Sequence, residues 1–517
     1  MSQQVVALPR FVEFRSQNSN KLLRYVKEDG AVKGYVQFYG DFVGSADAKF
    51  EVHRSTTVNG LVHIRSCYNN KFLQVLDKAP NLLAAKADKP DEDQSSRSCT
   101  LLRPTSVNGN PKTIRLTHVN LKLNLCLWRG TDPAYYACVA AYYSDPDAGS
   151  CDVFNVIDWQ SLVILPKYIA LKGDNNKFVT TIWYYGKCYL QFSATNLDDD
   201  PLSAGNEIVQ TSNGNISIRN LNWDKYWRSD PHIIYADSTV PTSNDALFQP
   251  VKCSEDTIAL RSIANNYFCT MMTNEIMKDC LTVGSTAITS FAKFKVSEFV
   301  VSKTIENINF RLMDARIYDE NMLVMVSSTY ANQGNSTQEQ TFELSYRNKR
   351  SSTWNCNLSV KGSFEASFKA GIPFIEDGKI TFKLEASEQY TWGKTKEAEE
   401  KISTSYKVTI APKTKVTVRI VATRGICDVP FCYDQRDVLY TGETVITQMD
   451  DGVYTGVNNY SIYTEEKEEP LNQSTRITAA AGFKRVAKVS QSVCDFVAKK
   501  ILRDLQQVLL AECEYTD

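Results

Sequence analysis

Over residues 354–374 the even positions are apolar apart from Gly362, and the odd positions are polar as far as Gly371 and Pro373. Trp354, Cys356, Leu358, Val360, Phe364, Ala366, Phe368, Ala370, Ile372 and Phe374 occupy even positions, and Asn355, Asn357, Ser359, Lys361, Ser363, Glu365, Ser367 and Lys369 lie between them. A period of two is that of a strand with one apolar face. Ile375-Glu-Asp-Gly-Lys379 then supplies a turn centred on Asp-Gly. The alternation resumes at Ile380, Phe382 and Leu384, with Thr381, Lys383 and Glu385 between. The pattern predicts an amphipathic hairpin whose even positions share one face. Its first arm, 354–374, would reach ~70 Å at about 3.3 Å per residue, longer than common strands. A half-buried surface hairpin alternates in the same way. The length and the mixed polar face favour a bilayer-spanning hairpin, for which about 9–11 residues per arm suffice. A lone hairpin would leave unpaired backbone in hydrocarbon, so it must close into a barrel with other copies. In that reading Phe364, Ala366, Phe368, Ala370, Ile372, Phe374, Ile380, Phe382 and Leu384 face lipid. Glu365, Lys369, Lys383 and Glu385 line the lumen.

The first 300 residues follow another pattern, a recurring unit of about 50 residues. Phe14-Arg-Ser-Gln-Asn-Ser-Asn20-Lys, Ile64-Arg-Ser-Cys-Tyr-Asn-Asn70-Lys and the degenerate Ile114-Arg-Leu-Thr-His-Val-Asn120 form one set. Leu171-Lys-Gly-Asp-Asn-Asn176-Lys, Ile218-Arg-Asn-Leu-Asn-Trp-Asp224-Lys and Leu260-Arg-Ser-Ile-Ala-Asn-Asn266-Tyr form a second. Units close on similar strands, such as Ala48-Lys-Phe50-Glu-Val and Ala292-Lys-Phe294-Lys-Val. Three strand-rich units occurring twice predict two tandem β-trefoils, with Asn turning the chain through left-handed backbone. The expected divisions are 1–158 and 162–300 for the trefoils, 303–470 for an elongated β-sheet module carrying the hairpin, and 471–517 for a tail. Apolar positions at Phe483, Val486, Val489, Val493, Val497, Ile501 and Leu505 predict that this tail is helical. The fold class is therefore mainly β.

Composition narrows the function. Net charge is −1, so no basic field favours nucleic acid. No apolar run is long enough for a transmembrane helix, and the N-terminus lacks the features of a signal peptide. A nucleocytoplasmic location before release is expected. The 14 Cys have no small-scaffold rhythm and are expected to be mostly buried free thiols, although Cys427 and Cys432 could close a local loop if oxidised. The four His show no metal-ligand spacing, and no phosphate loop or nucleophile elbow occurs, so neither an enzyme nor a cofactor is expected. Sugar binding needs an aromatic platform beside hydrogen-bonding groups. Trp183, Tyr184 and Tyr185, and Trp223, Tyr226 and Trp227, are candidates that could equally be core. Tyr142-Tyr143 before Ser-Asp-Pro-Asp is similarly ambiguous.

Gly60-Leu-Val-His-Ile-Arg-Ser-Cys-Tyr-Asn-Asn-Lys-Phe-Leu, Lys89-Pro-Asp-Glu-Asp, Cys99-Thr-Leu-Leu-Arg-Pro and Asp152-Val-Phe-Asn-Val-Ile-Asp-Trp resemble the amaranthin-type plant lectins. The resemblance implies paired trefoils that dimerise and bind galactose or N-acetylgalactosamine glycans, with Asn81 matching an Asn among the family's sugar contacts. Gly371-Ile-Pro-Phe-Ile-Glu-Asp-Gly-Lys379 and Thr409-Ile-Ala-Pro-Lys-Thr-Lys-Val-Thr-Val418 resemble the aerolysin-type pore-forming module. Together these imply a plant-defence type of pore-forming lectin that acts as a homo-oligomer on a lipid membrane. The rival is a multimeric lectin whose third module assembles without inserting.

Overall fold

The structure, a computed structural model, describes residues 4–77, 80–211, 214–275, 277–357, 365–367, 371–383, 389–471 and 482–489. Two twelve-stranded sheets and one seven-stranded sheet account for most of it. The first sheet runs from Phe11–Ser16 to Phe154–Asp158, and these two strands pair (Phe14 opposite Val156), so the sheet closes on itself. The second runs from Tyr168–Lys172 to Phe294–Glu298 and closes likewise, with Ile169 opposite Glu298. Each comprises three four-stranded units, the trefoil arrangement expected from the repeats. Phe14, Phe38, Phe50, Ile64, Ile114 and Phe154 fill the first core. Ile169, Phe192, Ile218, Trp227, Phe248 and Phe294 fill the second.

The repeated turns have the left-handed backbone their Asn and Asp residues suggested: Asn20, Asn70, Asn176, Asp224 and Asn266 all have positive φ. In the degenerate third copy the left-handed residue is Lys122 (φ 55°), two positions beyond Asn120. Its N–H bonds the His118 carbonyl (2.8 Å), as that of Asn20 bonds Ser16 (2.9 Å).

The third sheet has longer strands, Thr414–Leu439 lying antiparallel to Thr444–Pro470 along nearly their whole length. Val300–Phe310 and Arg316–Asn332 flank the former. Gln338–Asn355 and Thr395–Ile410 form a ribbon. Phe342, Leu344 and Tyr346 of that ribbon pack on Val416, Val418 and Ile420. Phe299 seats this module on the second trefoil, in a cluster with Tyr168, Phe178 and Leu439. Arg311 seats it on the first: its guanidinium lies 3.9 Å from the Tyr68 ring centroid and bonds the Tyr68 carbonyl (2.9 Å).

Three expectations are corrected. Cys427 and Cys432 lie within one strand, both free. Five residues of extended chain separate them by about 17 Å, far beyond disulfide reach. The strand from Trp354 does not continue through the alternating run: Gln338–Asn355 ends at Asn355, and the N–H of Asn357 is taken by Asp451 Oδ2 at 3.0 Å. The tail is not helical where it is described. Lys484–Lys488 is a strand added to the edge of Thr444–Pro470, with Tyr463 opposite Lys488, because a free sheet edge offers this segment ready backbone partners. The remainder of the expected helix lies outside the described residues.

One buried carboxyl makes the first trefoil pH-sensitive. Glu13 has no exposed surface; Oε1 accepts the Gly44 N–H at 2.7 Å, and Oε2 has no hydrogen-bond partner among the described residues. Burial pushes its pKa up to about 8, against the opposing pull of the Gly44 N–H and the Arg15 guanidinium. The raised pKa means that the native state keeps this proton while the unfolded chain loses it. Stability therefore falls as pH rises from the ordinary carboxylate range to about 8, by at most about 1.4 kcal/mol per pH unit. Thermal unfolding at pH 5 to 9 should show Glu13→Gln losing less stability than the unmodified protein across that window. Parallel pH profiles would contradict this account.

Candidate functional site

The candidate aromatic residues lie around a hairpin tip of the second trefoil. Phe178–Tyr184 and Lys187–Ala194 are joined by Tyr185 (φ 47°) and Gly186 (φ 73°), the two-residue turn that matches strand twist. Successive strand residues point to opposite faces, so the tip divides its aromatics. On one side Trp183 stacks on Trp223 (centroids 5.3 Å, 27° between planes), leaving them 60% and 40% exposed. On the other, Tyr184 meets Tyr185 edge-on at 4.3 Å and approaches Tyr189, which meets Tyr235 at 5.0 Å. Tyr185 is 82% exposed. Polar groups border this second side. Lys187 Nζ lies 4.3 Å over the Tyr235 ring, and Arg228 forms a two-point pair with Asp237 (2.9 Å each) and a contact with Asp230 (3.2 Å). Burial pushes the Tyr235 hydroxyl up to about 12, so it is a neutral donor at physiological pH.

Trp227 is not part of this surface. It is fully buried and its indole N–H bonds Asn206 Oδ1 at 3.1 Å, so it is a core residue. Its neighbour Tyr226 is half-buried on the opposite face of the strand. Asn81 stands apart on the first trefoil, in left-handed backbone (φ 63°). Its amide is occupied: Nδ2 bonds the Ala141 carbonyl (3.1 Å) and Oδ1 accepts from Arg97 (2.7 Å). Sequence reasoning did not identify Tyr189, Tyr235 or Lys187; Tyr189 carries a signal only as a fourth aromatic three residues beyond the Tyr185-Gly186 turn.

The second candidate site is the hairpin. Ile372–Glu376 and Lys379–Lys383 form a two-stranded ladder of their own, joined by Asp377 (φ 47°) and Gly378 (φ 76°). With two turn residues, Glu376 faces Lys379 and odd positions face even ones. Pro373, Ile375, Ile380 and Phe382 therefore share one face, and Ile372, Phe374 and Thr381 the other. The expected single face for Ile372, Phe374, Ile380 and Phe382 does not hold in this tucked form. Nearer the base, Ala366 pairs with Tyr390, even with even. Six positions separate Ala366 from Ile372 but seven separate Lys383 from Tyr390, so the two ladders are out of phase by one residue. Glu365, Ala366 and Lys383 are described only through these ladders. Phe364, Phe368, Lys369, Ala370, Leu384 and Glu385 lie outside the described residues.

The tip is held against the long strands. Ile375, 1% exposed, joins Trp354, Phe431, Tyr454 and Tyr460 in a core cluster, with Ile372 beside it. Ile375 and Ile380 are a non-hydrogen-bonded pair, so the N–H and C=O of Ile375 point away from the partner arm. The Asn458 amide takes both: Ile375 N–H donates to Oδ1 (2.9 Å) and Nδ2 donates to the Ile375 carbonyl (2.8 Å). Opposite Asn458 stands Gly425, where a Cβ would lie 3.1 Å from Ile375 Cδ1 and 3.0 Å from Tyr460. Lys488 bonds Asp377 at 2.7 Å across an open cavity of about 430 Å³ that Ser461 and Tyr463 also line.

The start of the alternating run has its own tie. Besides Asn357, Asp451 accepts the Tyr433 hydroxyl at 3.2 Å, and burial raises its pKa. Adjacent Asp450 pairs with Lys27 of the first trefoil and accepts from the Tyr68 hydroxyl (3.5 Å). Two consecutive aspartates thus join the first trefoil to the place where the alternating run leaves the sheet. No described helix is long and apolar enough to cross a membrane.

Two family models match parts of the chain. Residues 6–158 match the Agglutinin domain. Residues 293–431 match the Clostridium epsilon toxin ETX/Bacillus mosquitocidal toxin MTX2 family. No curated protein matches the chain in sequence. Among solved structures, the hemolytic lectin CEL-III aligns at 12% identity over 88% of this chain and 94% of its own, with a TM-score of 0.30. Lamprey immune protein aligns at 16% over 60% of this chain and 93% of its own, with a TM-score of 0.29. A mosquitocidal holotoxin aligns at 11% over 60% of this chain, with a TM-score of 0.28, and the chain spans 36% of the holotoxin's length.

The Asn458 clamp yields a direct expectation. Asn458→Ala leaves both polar groups of the nearly buried Ile375 without these partners, at a cost of about 1–3 kcal/mol to hairpin docking. Hydrogen exchange at 372–383 should accelerate, while the trefoils melt as before. Unchanged exchange would show that the clamp contributes nothing to docking.

Proposed function

We propose that this chain, which joins an agglutinin domain to an ETX/MTX2-type toxin region, is a carbohydrate-binding pore-forming protein. Its trefoils bind galactose- or N-acetylgalactosamine-type glycans, and copies gathered on the membrane close their hairpins into a β-barrel. The observation that carries the reading is the 372–383 hairpin, which forms a separate ladder outside the seven-stranded sheet and is tied to it by the Asn458 side chain and apolar packing. A segment held this way can leave without dismantling the sheet. Removing Ile375 and Ile372 from the core exposes apolar surface, which burial in lipid offsets. Backbone groups freed from Asn458 pair with the arms of neighbouring copies, as hydrocarbon requires.

Glycan binding is assigned to the aromatic tip. A pyranose ring stacks on Tyr185, where Lys187, Arg228 and Asp230 meet its hydroxyls, and the Trp183–Trp223 stack offers a second aromatic platform on the other side of the tip. Several trefoils engaging one surface raise apparent affinity without new contacts. In the barrel, Phe364, Phe368, Ile372, Phe374 and the even residues of the second arm face lipid, and Glu365, Lys369, Lys383 and Glu385 face water. Reaching that arrangement requires a one-residue slip at the tip, since the tucked ladder puts Ile380 and Phe382 opposite the face of Ile372 and Phe374. The protein would be stored in the nucleus and cytoplasm and act in plant-type defence after release.

Dye release from vesicles, with and without a galactose-terminated glycolipid, tests the reading. Leakage should rise more steeply than linearly with protein concentration and should depend on the glycolipid. Phe368→Asp should abolish leakage while leaving vesicle attachment and thermal unfolding unchanged. Attachment without leakage under every condition would replace the pore by the non-inserting multimeric lectin.

A further inference from the structure

The first trefoil contains its own internal controls. Its three hairpins pair Leu22–Tyr25 with Val36–Gly40, Phe72–Val75 with Leu83–Ala87, and Leu123–Leu127 with Val139–Tyr143. The second strands share one burial order: three buried residues, one exposed, one half-buried. The residue after each first strand makes the same backbone bond across the hairpin: Val26 N–H to the Tyr35 carbonyl (2.9 Å), Leu76 to Leu82 (2.9 Å) and Trp128 to Cys138 (2.8 Å). Val26, Leu76 and Trp128 are therefore equivalent, as are the exposed residues Tyr39, Lys86 and Tyr142. The hairpin is satisfied by an aliphatic residue at the first position and by a lysine at the second. Only the third copy is aromatic at both.

In that copy Trp128 and Tyr142 meet edge-to-face (centroids 5.0 Å, 66°), and Tyr142 remains 49% exposed. The chain folds back against the indole at Gly130, where a Cβ would come within 2.2 Å of Trp128 Nε1, so the arrangement needs glycine there. Polar residues neighbour the pair in sequence. Arg129 follows Trp128 and is held by Asp147 (3.1 Å), and the exposed Ser144 and Asp145 follow Tyr143 and bond each other at 3.0 Å.

We propose that Trp128, Tyr142 and Arg129 form a second glycan subsite, on the third unit of the first trefoil and separate from the aromatic tip of the second. It takes a hexopyranose whose apolar face stacks on the exposed Tyr142 ring, with hydroxyls bonded by Arg129 and Asp145. The inference rests on the lectin reading above and adds to it: one chain carries a sugar site on each trefoil and binds a glycan-bearing surface bivalently.

The test exchanges the aromatics for the residues of the sister unit, Trp128→Leu with Tyr142→Lys, in the full chain. Calorimetric titration with methyl galactoside and methyl N-acetylgalactosaminide should show the number of sites falling from two to one. Attachment to vesicles bearing a galactose-terminated glycolipid should weaken at least about tenfold. Should the double variant fail to fold, Tyr142→Lys alone, at a position where the second unit already carries lysine, gives the same readout. Unchanged stoichiometry and attachment overturn the proposal. A parallel Trp183→Ala with Tyr185→Ala variant separates the two claims. If that variant loses all sugar binding while the exchange variant keeps it, the second subsite falls and the lectin reading stands. If the unmodified protein binds neither sugar nor glycolipid vesicles, both fall.

Discussion

A hairpin lying on the face of a sheet carries backbone groups at its outer edges that the sheet cannot reach. Here one side chain reaches them. The Asn458 amide presents a donor and an acceptor to the N–H and C=O of Ile375, as a neighbouring strand would, without making the hairpin part of the sheet. Much of the third module is arranged around that contact. Gly425 leaves room for the Ile375 side chain, Tyr460 walls it, and the Asp377–Gly378 turn ends the hairpin beside Ser461. A strand-to-strand ladder would have bound the segment along its length. A two-point clamp binds its backbone at one residue, beside apolar packing and one ion pair at the tip, and this separates a stored element from a structural one.

The same economy connects the modules. Asp451 holds the N–H of Asn357 where the chain leaves the Gln338–Asn355 strand. Asp450, next in sequence, faces Lys27 and Tyr68 of the first trefoil, and Arg311 stacks on Tyr68 while bonding the Asp450 carbonyl (3.2 Å). The surface that carries the agglutinin domain and the root of the alternating run therefore share a two-residue junction. Among the described residues the tip has no such link to the trefoils; it is tied to Lys488 of the strand Lys484–Lys488.

The legible parts of this structure are those set by local rules. The repeated turns could be read because Asn at left-handed positions is a local requirement, and the degenerate copy shifted because Lys122, not an Asn, takes that role. Hairpin alternation was legible, but its phase was not taken from the turn: a two-residue Asp-Gly loop makes odd positions face even ones, a rule available from sequence. The end of the strand at Asn355 was not legible, since it depends on Asp451, nearly a hundred residues away. The helical period around Val486 lost to an open sheet edge, a tertiary effect that no local pattern reports. Trp227 looked like a platform residue beside Tyr226, yet strand neighbours point to opposite faces, and here the face that carries Trp227 is the one packed into the core.

The central claim is that the hairpin stored under Asn458 is the element that enters the membrane. A reducible bis-maleimide linking Asp377→Cys to Ser461→Cys, across the cavity both positions line, tests it most directly. The account predicts that the linked protein binds glycolipid vesicles normally but releases no dye, and that cleaving the linker restores release. Full leakage from the linked protein would contradict the claim and place the membrane-active element elsewhere in the chain.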